Sequence, residues 1–203
     1  MIARKVRWIS VAVCLCGVSF ASAQTDLRTF TSPDGVFRFR YSRVLVRCAP
    51  EQSDSQSDAC LACDDRVARA NTIACVAYPK ERFKDKRTFV AAGFFVAEVK
   101  EVTTKDACLA RPQHWNIEST QSVRVNGVNF TFYKISDWGL GNGFQGDIYR
   151  TFHNRMCYEL GIQEANTSSG AYEAGTIKEF TEEDQAEVHG RLKQALDSFR
   201  FLR

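Results

Sequence analysis

The sequence is poor in the residue types and motifs that most enzymes and metal sites require. It has three histidines and four prolines among 203 residues, no internal repeat and no proline-rich linker. It also has no Gly-x-Ser-x-Gly, His-Glu-x-x-His or Walker motif. None of His114, His153 and His189 has a cysteine, serine or carboxylate at a spacing typical of a site, so we expect structural roles for them. We predict no catalytic residue, metal ligand or cofactor, and favour a non-enzymatic protein.

Beyond its N-terminus the chain lacks both a charge excess and a long apolar run. Three of its 27 lysine and arginine residues precede residue 24 and no acidic residue does, so residues 24–203 carry 24 basic and 24 acidic residues. A nucleic-acid-binding protein is expected to show a basic excess or stripe, and we predict no nucleic-acid partner. No later segment reaches the roughly 18 apolar residues that suggest a membrane span, so none is predicted in the mature chain.

The first 23 residues have the three parts of a secretory signal peptide. A positively charged segment (4–7) precedes an apolar core (9–20), and Ala-Ser-Ala at 21–23 matches the A-x-A cleavage pattern. Lipidation at Cys14 is the alternative, but the Val-Ala-Val before it is a poor context. We therefore predict a secreted or periplasmic protein with one α+β domain over 24–203 and an envelope or extracellular protein as its partner.

Six cysteines remain after the predicted signal peptide, an even number that favours disulfides in an exported protein: Cys48, Cys60, Cys63, Cys75, Cys108 and Cys157. Zinc binding by the first four of these cysteines is the alternative to disulfide bonds. It is disfavoured because only Cys60 and Cys63 form a short pair and no histidine lies nearby. A thiol–disulfide oxidoreductase using Cys60 and Cys63 is the alternative function. It is disfavoured because the pair follows a polar loop, whereas redox pairs of this type follow a strand.

The first four cysteines flank and occupy a predicted insertion over 49–71, between strand candidates at 44–48 and 72–78. Ordering so long a polar loop costs conformational entropy, and two disulfides would each contribute roughly 2–4 kcal/mol. Three pairings are open. The crossed and sequential pairings both bond the loop to the two strands. They are favoured because helical geometry within 59–70 would not suit a Cys60–Cys63 bond. Cys108 and Cys157 should then pair with each other.

Hydrophobic patterns predict several strands. Alternation over 35–41 after a Ser-Pro-Asp-Gly turn indicates a half-buried strand, with inward side chains expected at Val36 or Phe37, Phe39 and Tyr41. The apolar run 88–99 is rich in β-branched and aromatic residues and indicates a central strand.

Turn residues predict two hairpins. Asn126-Gly127 joins alternating runs at 122–125 and 128–135, and a second hairpin is expected around His153 and Asn154, between strands at 147–152 and 156–162.

Two helices are predicted after capping residues. A short one covers 104–109, and a longer one follows Thr181, with acidic residues in its first turn and an apolar face formed by Val188, Leu192, Ala195, Leu196 and Phe199. This order of elements indicates an α+β fold, an antiparallel sheet of about six strands packed by the C-terminal helix and shorter helices and crosslinked by disulfides.

The segment 31–42 (TSPDGVFRFRYS), the meander of long strands and the C-terminal RLKQALDSFRFL (191–202) resemble the PsbP-like fold over roughly residues 29–48 and 120–203. The resemblance implies an α-β-α sandwich in a secreted or lumenal binding or accessory protein, and it assigns no ligand residues. The cysteine-bearing insertion departs from that pattern. The organisation is also similar to that of secreted bacterial proteins of unknown role.

A glycine-rich segment over 136–147 is the candidate binding element. Its glycines superficially suggest phosphate binding, but a dinucleotide site needs a following helix and here a strand is predicted. We interpret the segment as a hairpin loop, either a simple connector or a recognition loop that exposes aromatic and polar groups. The candidate recognition residues are Trp138, Asn142, Phe144, Gln145 and Asp147.

Overall fold

Two antiparallel sheets and one long helix dominate the computed structural model, which describes residues 26–48, 58–63, 71–100, 102–113, 116–139 and 141–202. The predicted signal peptide, the stretches 49–57 and 64–70 of the predicted insertion, and His114 lie outside these residues. Within the described ranges, no helix has the length and apolar character needed to cross a membrane.

The larger sheet has seven strands in the spatial order β3-β4-β5-β9-β8-β7-β6, and every neighbouring pair is antiparallel. Its strands are β3 (Val46–Cys48), β4 (Asn71–Ala77), β5 (Phe89–Glu98), β6 (Ile117–Val125), β7 (Val128–Gly139), β8 (Asn142–His153) and β9 (Met156–Thr167). The central strands β5 and β9 are buried along most of their length. This agrees with the continuous apolar run that predicted β5, since a central strand covered on both faces does not alternate.

The smaller sheet has the order β1-β2-β10, formed by β1 (Leu27–Thr31), β2 (Phe37–Ser42) and β10 (Arg200–Phe201). Phe37, Phe39 and Tyr41 are buried as predicted, because alternate residues of β2 point to the same face. Phe39 packs edge-on against Phe94 of the larger sheet, with ring centroids 5.1 Å apart. The two sheets therefore share one hydrophobic core.

The C-terminal helix α2 (Glu182–Ser198) lies on this same core, against β2, β5 and β9. Thr181 caps its N-terminus and exchanges hydrogen bonds with Asp184 in a capping box. The predicted apolar face is buried in full, including Phe199 directly after the last helical residue. The Asn126 side chain, from the turn between β6 and β7, donates hydrogen bonds to the carbonyls of Asp197 and Phe199.

The opposite face of the larger sheet carries a second core, because successive residues such as Phe94 and Phe95 point to opposite sides of β5. The short helix α1 (Lys105–Leu109), capped by Thr104, lies here against β8. The Cys108–Cys157 disulfide joins α1 to β9. A 3₁₀ turn at Asp58–Cys63, the described part of the predicted insertion, covers β4 and β5.

The prediction of a disulfide-crosslinked α+β fold with helical elements on both faces of an antiparallel sheet is confirmed. The hairpin at Asn126-Gly127 is also confirmed, with both residues at positive φ, 45° and 85°. The expected antiparallel sheet of about six strands corresponds to the seven-stranded larger sheet, whereas β1 and β10 of the smaller sheet were not predicted. The turn after β8 lies at Asn154 and Arg155, one residue later than expected.

Candidate functional site

The predicted recognition loop is not a loop. β7 continues to Gly139 and β8 begins at Asn142, so most of residues 136–147 form the paired end of the β7–β8 hairpin. The glycines were interpreted as loop residues, but in the structure they allow close packing between strands. A Cβ atom added to Gly143 would lie 2.2 Å from the Trp138 ring, so only glycine allows the indole to lie over the neighbouring strand. Gly141 supplies the turn, at φ 84°.

The pleat of the hairpin separates the five candidate recognition residues. Asn142 and Phe144 point to the face that carries the 3₁₀ turn, whereas Gln145 and Asp147 point to the face that carries α2. Trp138 lies opposite Gly143 in the strand register and therefore shares the α2 face. The structure thus brings these residues together along one hairpin but divides them between two clefts.

The first cleft, here called the apolar cleft, has a volume of about 430 Å³. It lies between the 3₁₀ turn and the ends of β7, β8 and β9. Its lining residues are Leu61, Ala62, Asp137, Gly139, Asn142, Gly143, Phe144, Gln163, Glu164 and Ala165. This volume falls within the range of small-molecule sites, which are mainly apolar with a few polar groups.

Two disulfides fix the outer wall of the apolar cleft. Cys48 bonds to Cys60 and Cys63 bonds to Cys75, which is the sequential pairing of the three left open by the sequence. The 3₁₀ turn that carries Leu61 and Ala62 is therefore bonded to β3 before it and to β4 after it. Gly93 of β5 lets the turn approach the sheet, since a Cβ there would lie 3.1 Å from Ala62 Cβ.

The same pairing bears on the redox and zinc alternatives. Cys60 and Cys63 each bond to a strand cysteine instead of to each other, so the structure does not support a Cys-x-x-Cys oxidoreductase. The Sγ atoms of Cys48, Cys63 and Cys75 lie within 4.8 Å of one another. In the disulfide form these sulfurs are not the thiolates that bind zinc.

Gln163 is the unexpected polar residue of the apolar cleft. Its side chain is buried, with the residue only 5% exposed, and its Nε2 atom has no hydrogen-bond partner among the described residues. A buried amide left unpaired costs about 1–3 kcal/mol. Its two neighbours in the sheet register are glycines, Gly93 and Gly146, so no side chain stands directly beside the unpaired amide in its row.

The second cleft, here called the polar cleft, lies between the hairpin and α2 and has a volume of about 570 Å³. Its lining residues are Lys134, Gln145, Gly146, Asp147, Ile162, Glu164, Glu182, Gln185, Ala186 and His189. Both Gln145 and Gln185 donate hydrogen bonds to Glu164 Oε2. No serine or cysteine, the usual nucleophiles, occurs among these residues.

His189 of α2 stands between two carboxylates in the polar cleft. Its Nε2 lies 3.6 Å from Asp147 Oδ2 and its Nδ1 lies 3.4 Å from Glu164 Oε1. The approach of Glu164 raises the pKa of His189, against the opposing effect of burial. Burial raises the pKa of Asp147, although His189 and Lys134 partly oppose the shift. The charges of this cleft therefore pair mainly with one another.

Sequence reasoning missed the two residues that distinguish the clefts. His189 was expected to be structural, and its carboxylate neighbours come from strands remote in sequence. Gln163 follows the predicted end of β9 at residue 162, but the strand continues to Thr167. A polar residue in a fully covered strand was the signal that could have identified it. His153, also expected to be structural, stacks on Phe201 with ring centroids 3.8 Å apart.

Comparison with known proteins gives a structural likeness alone. No family model matches the chain, and no curated protein matches it. Among solved structures it is similar to the solution structure of cyanobacterial PsbP (CyanoP) from Synechocystis sp. PCC 6803. The identity is 8%, the TM-score is 0.42, and the match covers 92% of this chain and 98% of that one. The resemblance to the PsbP-like fold is thus present but weak, and it assigns neither a ligand nor a site.

Proposed function

We propose that this chain is an exported, non-enzymatic binding or accessory protein that contacts an envelope or extracellular protein partner. Its binding surface is the end of the β7–β8 hairpin together with the 3₁₀ turn. Three disulfides support the extracytoplasmic part of the proposal, since such bonds persist mainly in oxidising compartments. The signal-like residues 1–23 support it independently.

The exposure of two large apolar side chains at this end of the sheet carries the proposal. Leu61 is 48% exposed and Trp138 is 57% exposed. Leu61 borders the apolar cleft, whereas Trp138 lies over Gly143 on the α2 face, so the two side chains flank the same end of the hairpin from opposite faces of the sheet. Exposed aromatic and aliphatic groups beside a cleft are typical anchors of protein interfaces, in which tryptophan is enriched.

The surface is tested by comparing three baits in the envelope fraction of the source organism. One bait is the wild type, one carries Leu61→Ala with Trp138→Ala, and the control carries Val46→Ala with Leu202→Ala, which removes two other exposed apolar groups. We expect at least one protein that the wild type and the control retain and the Leu61/Trp138 variant loses by tenfold or more. Equal retention by all three baits, or retention of nothing, would overturn the proposal.

Export is tested by fractionating the native cells. We expect the protein outside the cytoplasm, beginning near Gln24 and with no free thiol under denaturing conditions. A cytoplasmic protein that keeps residues 1–23 and reactive thiols would contradict this part of the proposal.

A further inference from the structure

We propose that the apolar cleft binds a small, neutral, mainly apolar molecule through a carbonyl oxygen, which accepts a hydrogen bond from Gln163 Nε2. This inference goes beyond the proposed function, because a protein partner can contact Leu61 and Trp138 whether or not the cleft holds a ligand.

The unpaired amide of Gln163 indicates a hydrogen-bond acceptor in the occupant. Gln163 lines the apolar cleft, it is 5% exposed, and its Nε2 has no partner among the described residues. The great majority of buried polar groups have partners, so an exception calls for an explanation. An amide N–H is a donor, and the missing group is therefore an acceptor.

The remaining walls favour an apolar body for the ligand. Leu61, Ala62, Phe144 and Ala165 offer hydrocarbon or ring surface, and the glycines leave open backbone between them. The Cys48–Cys60 and Cys63–Cys75 bonds hold the wall that carries Leu61. A wall fixed in advance lowers the ordering cost that a ligand must overcome.

Charge favours a neutral ligand over an anionic one. Asp137 and Glu164 line the cleft, although the Glu164 carboxylate is turned to the polar cleft, and lysine, arginine and histidine do not occur among its described lining residues. A carboxylate, sulfonate or phosphate would lose its hydration without gaining a cation. A ketone, ester or amide carbonyl accepts the same hydrogen bond without that loss.

The first test titrates the disulfide-bonded protein with prodan, a neutral naphthyl ketone that becomes brighter and bluer in apolar surroundings. We expect saturable binding to the wild type. Gln163→Leu keeps most of the side-chain volume but removes the donor, and it should raise the Kd about fivefold, the usual effect of one hydrogen bond. Ala165→Leu fills the cleft and should raise it by tenfold or more. Gln121→Leu, the same change at an exposed position of β6, should leave the Kd unchanged.

The second test does not depend on the folding of any variant. The side-chain amide resonances of Gln163 are assigned in the wild type, and acetophenone or ethylbenzene is added. These two ligands have similar size and shape, and acetophenone alone has a carbonyl. We expect acetophenone to move the Gln163 amide signals downfield and ethylbenzene to leave them near their original positions.

Several outcomes would overturn the inference. These are the absence of saturable prodan binding, an unchanged Kd in Gln163→Leu, equal shifts with both aromatic ligands, or equally tight binding of the anionic probe anilinonaphthalene sulfonate. Retention of an envelope protein in the bait experiment is independent of all four readouts, so the two proposals fail separately.

Discussion

Cys48 and Cys75 lie directly opposite each other on β3 and β4, yet neither sulfur bonds to the other. Each instead bonds to a cysteine of the 3₁₀ turn, Cys60 or Cys63. The sheet therefore serves as the fixed base, and both ends of a six-residue turn are attached to it. This arrangement places Leu61 over the sheet at the end where the β7–β8 hairpin also ends, and so forms the apolar cleft.

The opposition of Cys48 and Cys75 predicts a new bond when the turn cysteines are removed. Opposing Cα atoms of antiparallel strands lie about 4.5–5.5 Å apart, a distance that a disulfide spans. We expect the double variant Cys60→Ser with Cys63→Ser to form Cys48–Cys75, detected by mass mapping of peptides. The single variant Cys60→Ser is the control and should keep Cys63–Cys75 and one free thiol. Two free thiols in the double variant would contradict the prediction.

The three disulfides should differ in their contribution to stability. Cys48–Cys60 and Cys63–Cys75 each link residues 12 apart, whereas Cys108 and Cys157 are 49 apart. On the chain-entropy model, removing either short link costs about 3 kcal/mol and removing the long one about 4 kcal/mol. Paired Cys→Ser variants, compared by guanidinium unfolding, test this order. If removing Cys108–Cys157 lowers the free energy of unfolding by less than removing a short link does, the entropy of the unfolded chain does not dominate the contribution of these disulfides.

Local sequence signals predicted the parts of the fold that local interactions determine. Asn126-Gly127 adopts the positive φ angles of a tight hairpin, and Thr181 forms the capping box that begins α2. The smaller sheet was predicted only in part: β2 was expected, but its partner β10 lies at the far end of the chain, with Arg38 opposite Arg200. The two residues of β10 are too few for a periodic pattern.

The candidate site was predicted less well than the fold, for a related reason. The glycines of the hairpin were interpreted as loop residues. The sequence did not show that Gly143 leaves room for the Trp138 ring, because Trp138 lies on the partner strand. The segment was interpreted as one recognition element, but alternation along β8 directs its side chains to two clefts. Only the tertiary structure shows that Gln163 lies beneath the 3₁₀ turn and that His189 meets Asp147.

Gly161 of β9 should tolerate no side chain. A Cβ atom there would lie 2.3 Å from the Phe95 ring and 2.9 Å from Ile148 Cδ1, and both neighbours are buried. We expect Gly161→Ala to lower the free energy of unfolding by about 1–3 kcal/mol through overpacking. The matched control is Gly190→Ala on α2, where a Cβ would meet nothing within 4 Å. It should gain about 0.5–1 kcal/mol, since alanine loses less conformational freedom in a helix.

The buried ion pair of Arg150 and Glu159 should make stability depend on pH. Arg150 Nε lies 2.7 Å from Glu159 Oε2, while Glu159 Oε1 is buried and has no hydrogen-bond partner among the described residues. Burial raises the pKa of Glu159 to about 7, and the attraction of Arg150 only partly offsets this. The folded state therefore binds the Glu159 proton more tightly than the unfolded state does.

It follows that Glu159 contributes stability at pH values below its unfolded pKa and that this contribution is lost as the pH rises to about 7. The loss is about 3 kcal/mol at most, since each pKa unit is worth about 1.4 kcal/mol. Glu159→Gln mimics the protonated group, so it should match the wild type near pH 5 and be more stable at pH 8. Urea unfolding of both proteins across this range measures the difference. If Glu159→Gln is less stable than the wild type at pH 8, the attraction between the two charges outweighs their desolvation. The Glu159 carboxyl group is then ionised across this whole pH range.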